Sequence, residues 1–126
     1  MQEQLYEFAV IRVVPKIERE EFLNAGVILF CKRHKFLKAI CALDESKLRA
    51  FCNETDSEQV MANLKSLEKI AVGARDSGPI GQMETAERFR WLTAIRSTVI
   101  QTSRPHPGFT SDPQLTLQRL LSELVL

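Results

Sequence analysis

Residues 5 to 14, "LYEFAVIRVV", alternate so as to define two faces. Tyr6, Phe8, Val10 and Arg12 point one way; Leu5, Ala9, Ile11 and Val13 point the other. Both sets are mostly apolar, which predicts a central strand covered on both sides. Pro15 ends it, because proline cannot donate to a sheet ladder. "KIEREE" follows as an exposed charged link. Residues 22 to 31 predict a second strand, with "NAGVILF" at its centre, and "FLKAICAL" a third. The polar connector "KRHK" is short, so these two strands are expected to pair as an antiparallel hairpin. The first link is short too, which makes three antiparallel neighbours.

Helical spacing takes over after Asp44, which can cap a short helix burying Leu48, Phe51 and Cys52. Thr55 and Glu58 have capping-box spacing. Val60, Met61, Leu64, Leu67, Ile70 and Ala71 then recur at helical period up to a stop at Gly73. "RDSGPIGQ" reads as a loop by composition. A helix from about Glu84 to Ala94 carries Phe89 and Leu92. "STVIQTS", residues 97 to 103, is β-branched enough for a fourth strand. "RPHPGFTSDP" reads as a long irregular loop held by three prolines. Asp112 followed by Pro113 is a strong helix start, a cap with proline at the first helical position. Leu117, Leu120, Leu121 and Leu124 form that helix's apolar face. Strands come together, then helices, then one strand and one helix. The expectation is therefore α+β, an antiparallel sheet of three to four strands packed with about four helices.

Length and charge narrow the function. With 126 residues, 44% of them hydrophobic, the chain forms a single domain, residues 1 to 126, with a real core. A formal net charge of +1 disfavours a protein whose main task is gripping a duplex backbone. No apolar run reaches the ~20 residues that cross a bilayer, and the N-terminus lacks the pattern of a secretory signal. Three cysteines, Cys31, Cys41 and Cys52, read as reduced thiols and point to the cytoplasm.

Familiar chemistries find little support. Cys31 and His34 make a C-x2-H start to a zinc site. The hairpin argues against it, because pairing Cys31 with Phe36 puts Cys41 on the opposite sheet face. No metal or cofactor is expected. No serine sits in a G-x-S-x-G elbow, and no phosphate loop or dinucleotide fingerprint is present. What remains is a polar set on or beside strands. Arg12 shares a face with Tyr6, Phe8 and Val10, so it must reach solvent, pair or hold a ligand. An ion pair with Glu21 or Glu20 is the plain expectation. Arg19, Glu21 and Asn24 flank the second strand, Arg96 and Ser97 begin the presumed fourth, and Arg104 and His106 follow it. From Arg88 to Ser111 there are four arginines and no acid, the nearest thing to an anion-binding surface. Gly26, Asp112 and Pro113 are given structural roles. Gly26 marks a bulge or a close backbone approach.

"YEFAVIRVVP", "REEFLNAGVIL", "RFRWLTAIRSTVIQTSRPHPG" and "DPQLTLQRL" resemble a small bacterial family, domain of unknown function three thousand and thirty-seven. The likeness runs from about Tyr6 to Val125. It is carried by E-x-x-N-x-G-V (Glu21, Asn24, Gly26, Val27) and by R-S-T-x-x-Q from Arg96 to Gln101. The family label implies no catalytic residues. Members often have a neighbouring gene for a HipA-like kinase, which implies a protein partner. Two functions follow. The favoured one is a non-enzymatic binding or accessory module for a kinase-like partner. The alternative is an enzyme or binder of a phosphate-bearing ligand or nucleic acid. That would use Arg12, Arg96 and Arg104 as anion donors, His106 as acid or base and Glu21 as orienter or base. Either function is compatible with a homo-oligomer.

Overall fold

The computed structural model describes residues 2–52, 55–94 and 98–126. Among them the chain forms a five-stranded antiparallel sheet with helices on both faces, an α+β fold. The strands are β1 (Gln4–Val13), β2 (Leu23–Cys31), β3 (Phe36–Cys41), β4 (Ile100–Thr102) and β5 (His106–Thr110). The helices are α1 (Glu45–Phe51), α2 (Ser57–Val72), α3 (Gly78–Gly81), α4 (Thr85–Leu92) and α5 (Pro113–Leu124). The order across the sheet is β3, β2, β1, with β4 and β5 end to end beyond β1.

β1 is central, as its two apolar faces require. Ala9, Ile11 and Val13 are fully buried beneath α1, α2 and α4, together with Ala25, Ile28, Leu48, Leu64 and Phe89. Tyr6, with Phe8, packs on the other face with Val27, Leu29, Cys31, Leu117 and Leu120, beneath α5. The hairpin pairs Cys31 with Phe36 and places Cys41 opposite Gly26, so Cys31 and Cys41 lie on opposite faces. Within the hairpin turn, Lys35 takes a left-handed conformation with φ 50.

The second half of the chain corrects several expectations. The fourth strand is shorter than residues 97 to 103, and the proline-rich stretch is not an irregular loop but contains β5. Ser103 joins the two pieces. Its N–H donates to the Val10 carbonyl at 2.8 Å, while its hydroxyl accepts from the Val10 N–H at 2.9 Å. His106 pairs with Phe8, so two steps along β1 face three along the edge: a bulge in one broken strand. Asp56, not Thr55, caps α2, its carboxylate accepting from the Gln59 N–H. Phe51 is exposed rather than buried, and Leu48 alone anchors α1. "GPIG" makes one helical turn. Asp112 caps α5 through the Leu115 N–H with Pro113 in the first turn, as expected. Gly73 ends α2 with φ 70.

Candidate functional site

The bulge at Gly26 sets the geometry of one end of the sheet. Ile11 pairs with Gly26 and Arg12 with Asn24, so Ala25 is the extra residue. A side chain on Gly26 would lie 2.6 Å from the Ile40 carbonyl, so the strand also needs glycine for close approach. The bulge turns Asn24 onto the α5 side, where its amide donates to the Leu124 carbonyl at 3.0 Å. Asn24 thus fastens the last turn of α5 to the start of β2. Arg12, its partner in register, stacks over Phe22 with 4.0 Å from guanidinium carbon to ring centroid. The Arg12 Nε and the Asn24 Oδ1 are both buried and find no hydrogen-bond partner among the described residues.

The expected ion pair between Arg12 and Glu21 does not form. Glu21 instead bonds Arg19, two residues before it, and both are well exposed. This pair lies on the rim of a cleft of about 560 Å³ between the β1–β2 link and α1. Lys16, Arg19 and Arg49 bring three cations to that cleft, against the single acid Glu21; Ala50, Phe51 and Cys52 complete its lining. Sequence reading missed Arg49, since nothing in a short helix's last turn marks it as facing a cleft.

Pro15, Lys16 and Cys52 also line a second depression of about 300 Å³, which continues along α2 past Gln59 and Asn63. Asn63 and Val99 are in turn shared with a third hollow, about 450 Å³, bounded by Leu67, Ile70, Trp91, Leu92 and β4. The three adjoin through these shared residues and form a grooved surface, with cations at one end and apolar side chains at the other. Farther along the same sheet face the helices give out. Leu5 and Phe109, directly opposed in register, are 54% and 66% exposed there.

The remaining candidates do not gather in the cleft. His106 sits on β5 with its ring 5.5 Å from that of Phe8. It shares the α5 side with Arg12 but lies four residues along β1, roughly 13 Å at strand rise. Arg104 is exposed in the edge bulge. Arg96 and Ser97 lie outside the described residues. The arginine-rich stretch is not one anion surface, because Arg88 is 8% exposed and internally engaged. Its Nε and Nη2 donate to the Ala71 carbonyl at 3.2 and 3.1 Å, and its Nη1 donates to that of Met83 at 2.6 Å. Burial lowers its pKa from the usual arginine value.

A family model described as "Protein of unknown function (DUF3037)" matches residues 8–125. The chain belongs to this family. No curated protein and no solved structure matches it. In this DUF3037 protein the match takes in Arg12, the Gly26 bulge, the groove and the whole of α5, and stops short of Leu5. No described helix is long and apolar enough to cross a membrane.

Burial pushes the Cys41 thiol up to about 12, with the nearby Glu68 carboxylate adding to the effect. The same carboxylate accepts from the Cys41 N–H at 2.8 Å and so occupies part of the free edge of β3. Cys41 is a protonated core thiol at neutral pH, unsuited to nucleophilic chemistry.

Proposed function

We propose that this DUF3037 protein is a non-enzymatic binding module that serves as accessory to a kinase-like protein partner in the bacterial cytoplasm. The observation that carries this reading is the Leu5–Phe109 pair. Two large apolar side chains face each other on a sheet surface that the protein's own helices leave bare. Covering the exposed part of these two side chains, roughly half to two-thirds of each, is worth ~1–2 kcal/mol per side chain, so capping this corner supplies a useful share of a binding energy. The family likeness to proteins encoded beside a HipA-like kinase supplies the first partner to test. Co-expression with that kinase followed by affinity capture should recover both chains. A Leu5→Glu/Phe109→Glu variant that stays folded should lose the kinase. A wild-type protein that elutes alone from such a capture overturns the reading.

A second reading, an anionic ligand in the 560 Å³ cleft, is favoured by Lys16 and Arg49, which line it in addition to the Arg19–Glu21 pair. Calorimetric titration with ATP tests it, with loss of binding in Arg49→Glu as the expected signature.

A further inference from the structure

Among the described residues β4 is an open sheet edge beside an apolar hollow. The Val14 N–H donates to the Val99 carbonyl, and the Ser103 N–H donates to the Val10 carbonyl. Antiparallel alternation then turns Gln101 toward β1 and turns the backbone of Ile100 and Thr102 outward. The Ile100 carbonyl is taken by the Thr98 hydroxyl at 2.5 Å. The Ile100 N–H and both Thr102 backbone groups face away from β1, and no strand of the described residues lies beyond them. β5 differs. Pro107 stands at one of its two outward positions and removes the donor there, a common way of blunting an edge. The β4 stretch has no proline.

The hollow beside this edge is apolar where an added strand would place alternate side chains. Leu67 and Ile70 of α2 form one wall and Trp91 and Leu92 of α4 another. Along α2 the groove is lined by Asp56, Gln59, Asn63, Leu67 and Ile70, a regular helical stripe. Fourteen residues of rise make it roughly 20 Å long, which suits about six residues of extended chain at strand rise. Midway, the Gln59 amide nitrogen donates to the Asn63 carbonyl oxygen at 3.0 Å, which leaves the Asn63 amide N–H groups for a peptide carbonyl. At the far end the groove opens on Lys16, Arg19 and Arg49.

We infer that this groove binds an extended peptide segment that adds to the β4 edge. One or two of its apolar side chains enter the Leu67–Trp91 hollow, and an acidic residue reaches the cationic end. Main-chain bonds to Ile100 and Thr102 supply register, and the hollow and the cations supply selectivity. The inference rests on the protein being a binding module, but it names a surface separate from Leu5 and Phe109.

Trp91 is the only tryptophan, so its emission reports directly on the hollow. The probe is a panel of three hexapeptides with glutamate at both ends. Their inward alternate positions are valine, leucine or phenylalanine, and threonine fills the rest. At least one should shift Trp91 emission saturably. N-methylation of its alternate amides should weaken binding tenfold or more in one phase of the alternation and leave it unchanged in the other, because only one edge of a strand pairs. Leu67→Glu should weaken it by a similar factor. Thr102→Pro, which removes an outward N–H, should do the same. Binding should persist in the Leu5→Glu/Phe109→Glu variant, so loss of the kinase in that variant and loss of the peptide in Leu67→Glu report on different surfaces. No binding by any of the three up to about 1 mM, which corresponds to about 4 kcal/mol, overturns the inference. Equal tolerance of both methylation phases does so too.

Discussion

Replacing Arg88 by methionine is the sharpest test of the packing between α2 and α4. The guanidinium reaches back from α4 to the last turn of α2, where carbonyls lack helical partners and the helix dipole is negative. It also reaches the Met83 carbonyl in the segment leading into α4. Two of its three bonds share the Ala71 carbonyl, so they count as little more than one. Hydrogen bonds from a charged donor contribute ~1.5–3 kcal/mol each, and the desolvation of the guanidinium offsets part of that. Methionine keeps most of the stem's packing but leaves both carbonyls poorly satisfied. The expected loss is about 3 kcal/mol, against a total of roughly 6–19 kcal/mol for a chain of this length.

Urea unfolding followed by far-UV circular dichroism measures it directly, since a lower midpoint at unchanged slope is a stability change alone. At ~3–6 °C per kcal/mol for a domain of this size, the melting temperature should fall by about 10–15 °C. Arg88→Lys should recover less than half of the loss, because a single ammonium cannot span both carbonyls. Arg90→Met, two residues on and exposed, should change stability by no more than ~0.5 kcal/mol. If Arg88→Met also falls within that band, the buried arginine is not the strut described here.

Gly26→Ala should cost about 3 kcal/mol, at the upper end of overpacking effects, because its new carbon meets the Ile40 carbonyl and Cys41 on β3; a urea midpoint equal to wild type would refute the close approach. Cys41 gives a pH signature. Its folded pKa is raised from about 9 to about 12, so above pH 9 the unfolded chain holds fewer protons than the folded one, and stability falls as pH rises through that window. The contribution is at most ~1.4 kcal/mol per pH unit. Unfolding curves between pH 8 and 11 should show it in wild type and not in Cys41→Ala; equal slopes would sink it. Arg12→Met should be neutral or stabilising by up to ~1 kcal/mol, since it keeps the contact with Phe22 and removes a buried N–H that has no acceptor among the described residues. A loss greater than ~1 kcal/mol in thermal unfolding would show that the guanidinium has an essential partner.

The first half of the fold was legible because local signals agreed there. Alternation in β1, a four-residue connector and the Asp44 cap all favour the same arrangement, and burial on both faces leaves the register no freedom. The edge strand was not legible because its determinants are not local. Prolines at positions 105 and 107 read as loop, yet an edge strand tolerates proline wherever the missing N–H would point outward. Only the β1 pairing shows that Pro107 stands at such a place. Gly108 is similar: its lack of a side chain makes room for the Tyr6 ring, whose atoms would lie 2.5 Å from an added Cβ.

The same distinction separates the candidate residues that matter together from those that do not. Arg12, Glu21 and Asn24 are close in sequence, and an ion pair of Arg12 with Glu21 or Glu20 is what the sequence alone suggests. The bulge at Ala25 and Gly26 divides them. It turns Asn24 toward the Leu124 carbonyl, a hundred residues away, and leaves Glu21 on the link to find Arg19. Asn24 is therefore a brace between the start of β2 and the end of α5, and Gly26 makes that brace reachable. The groove escaped sequence reading for a complementary reason. Leu67 and Ile70 continue the apolar stripe of Val60 and Leu64, and periodicity assigns all four to the core. Val60 and Leu64 are buried, while Leu67 and Ile70 stay half-covered and face the hollow that β4 bounds on its other side. A helical stripe wider than the surface it covers is where a core passes into a binding surface, and only the position of β4 shows where that happens.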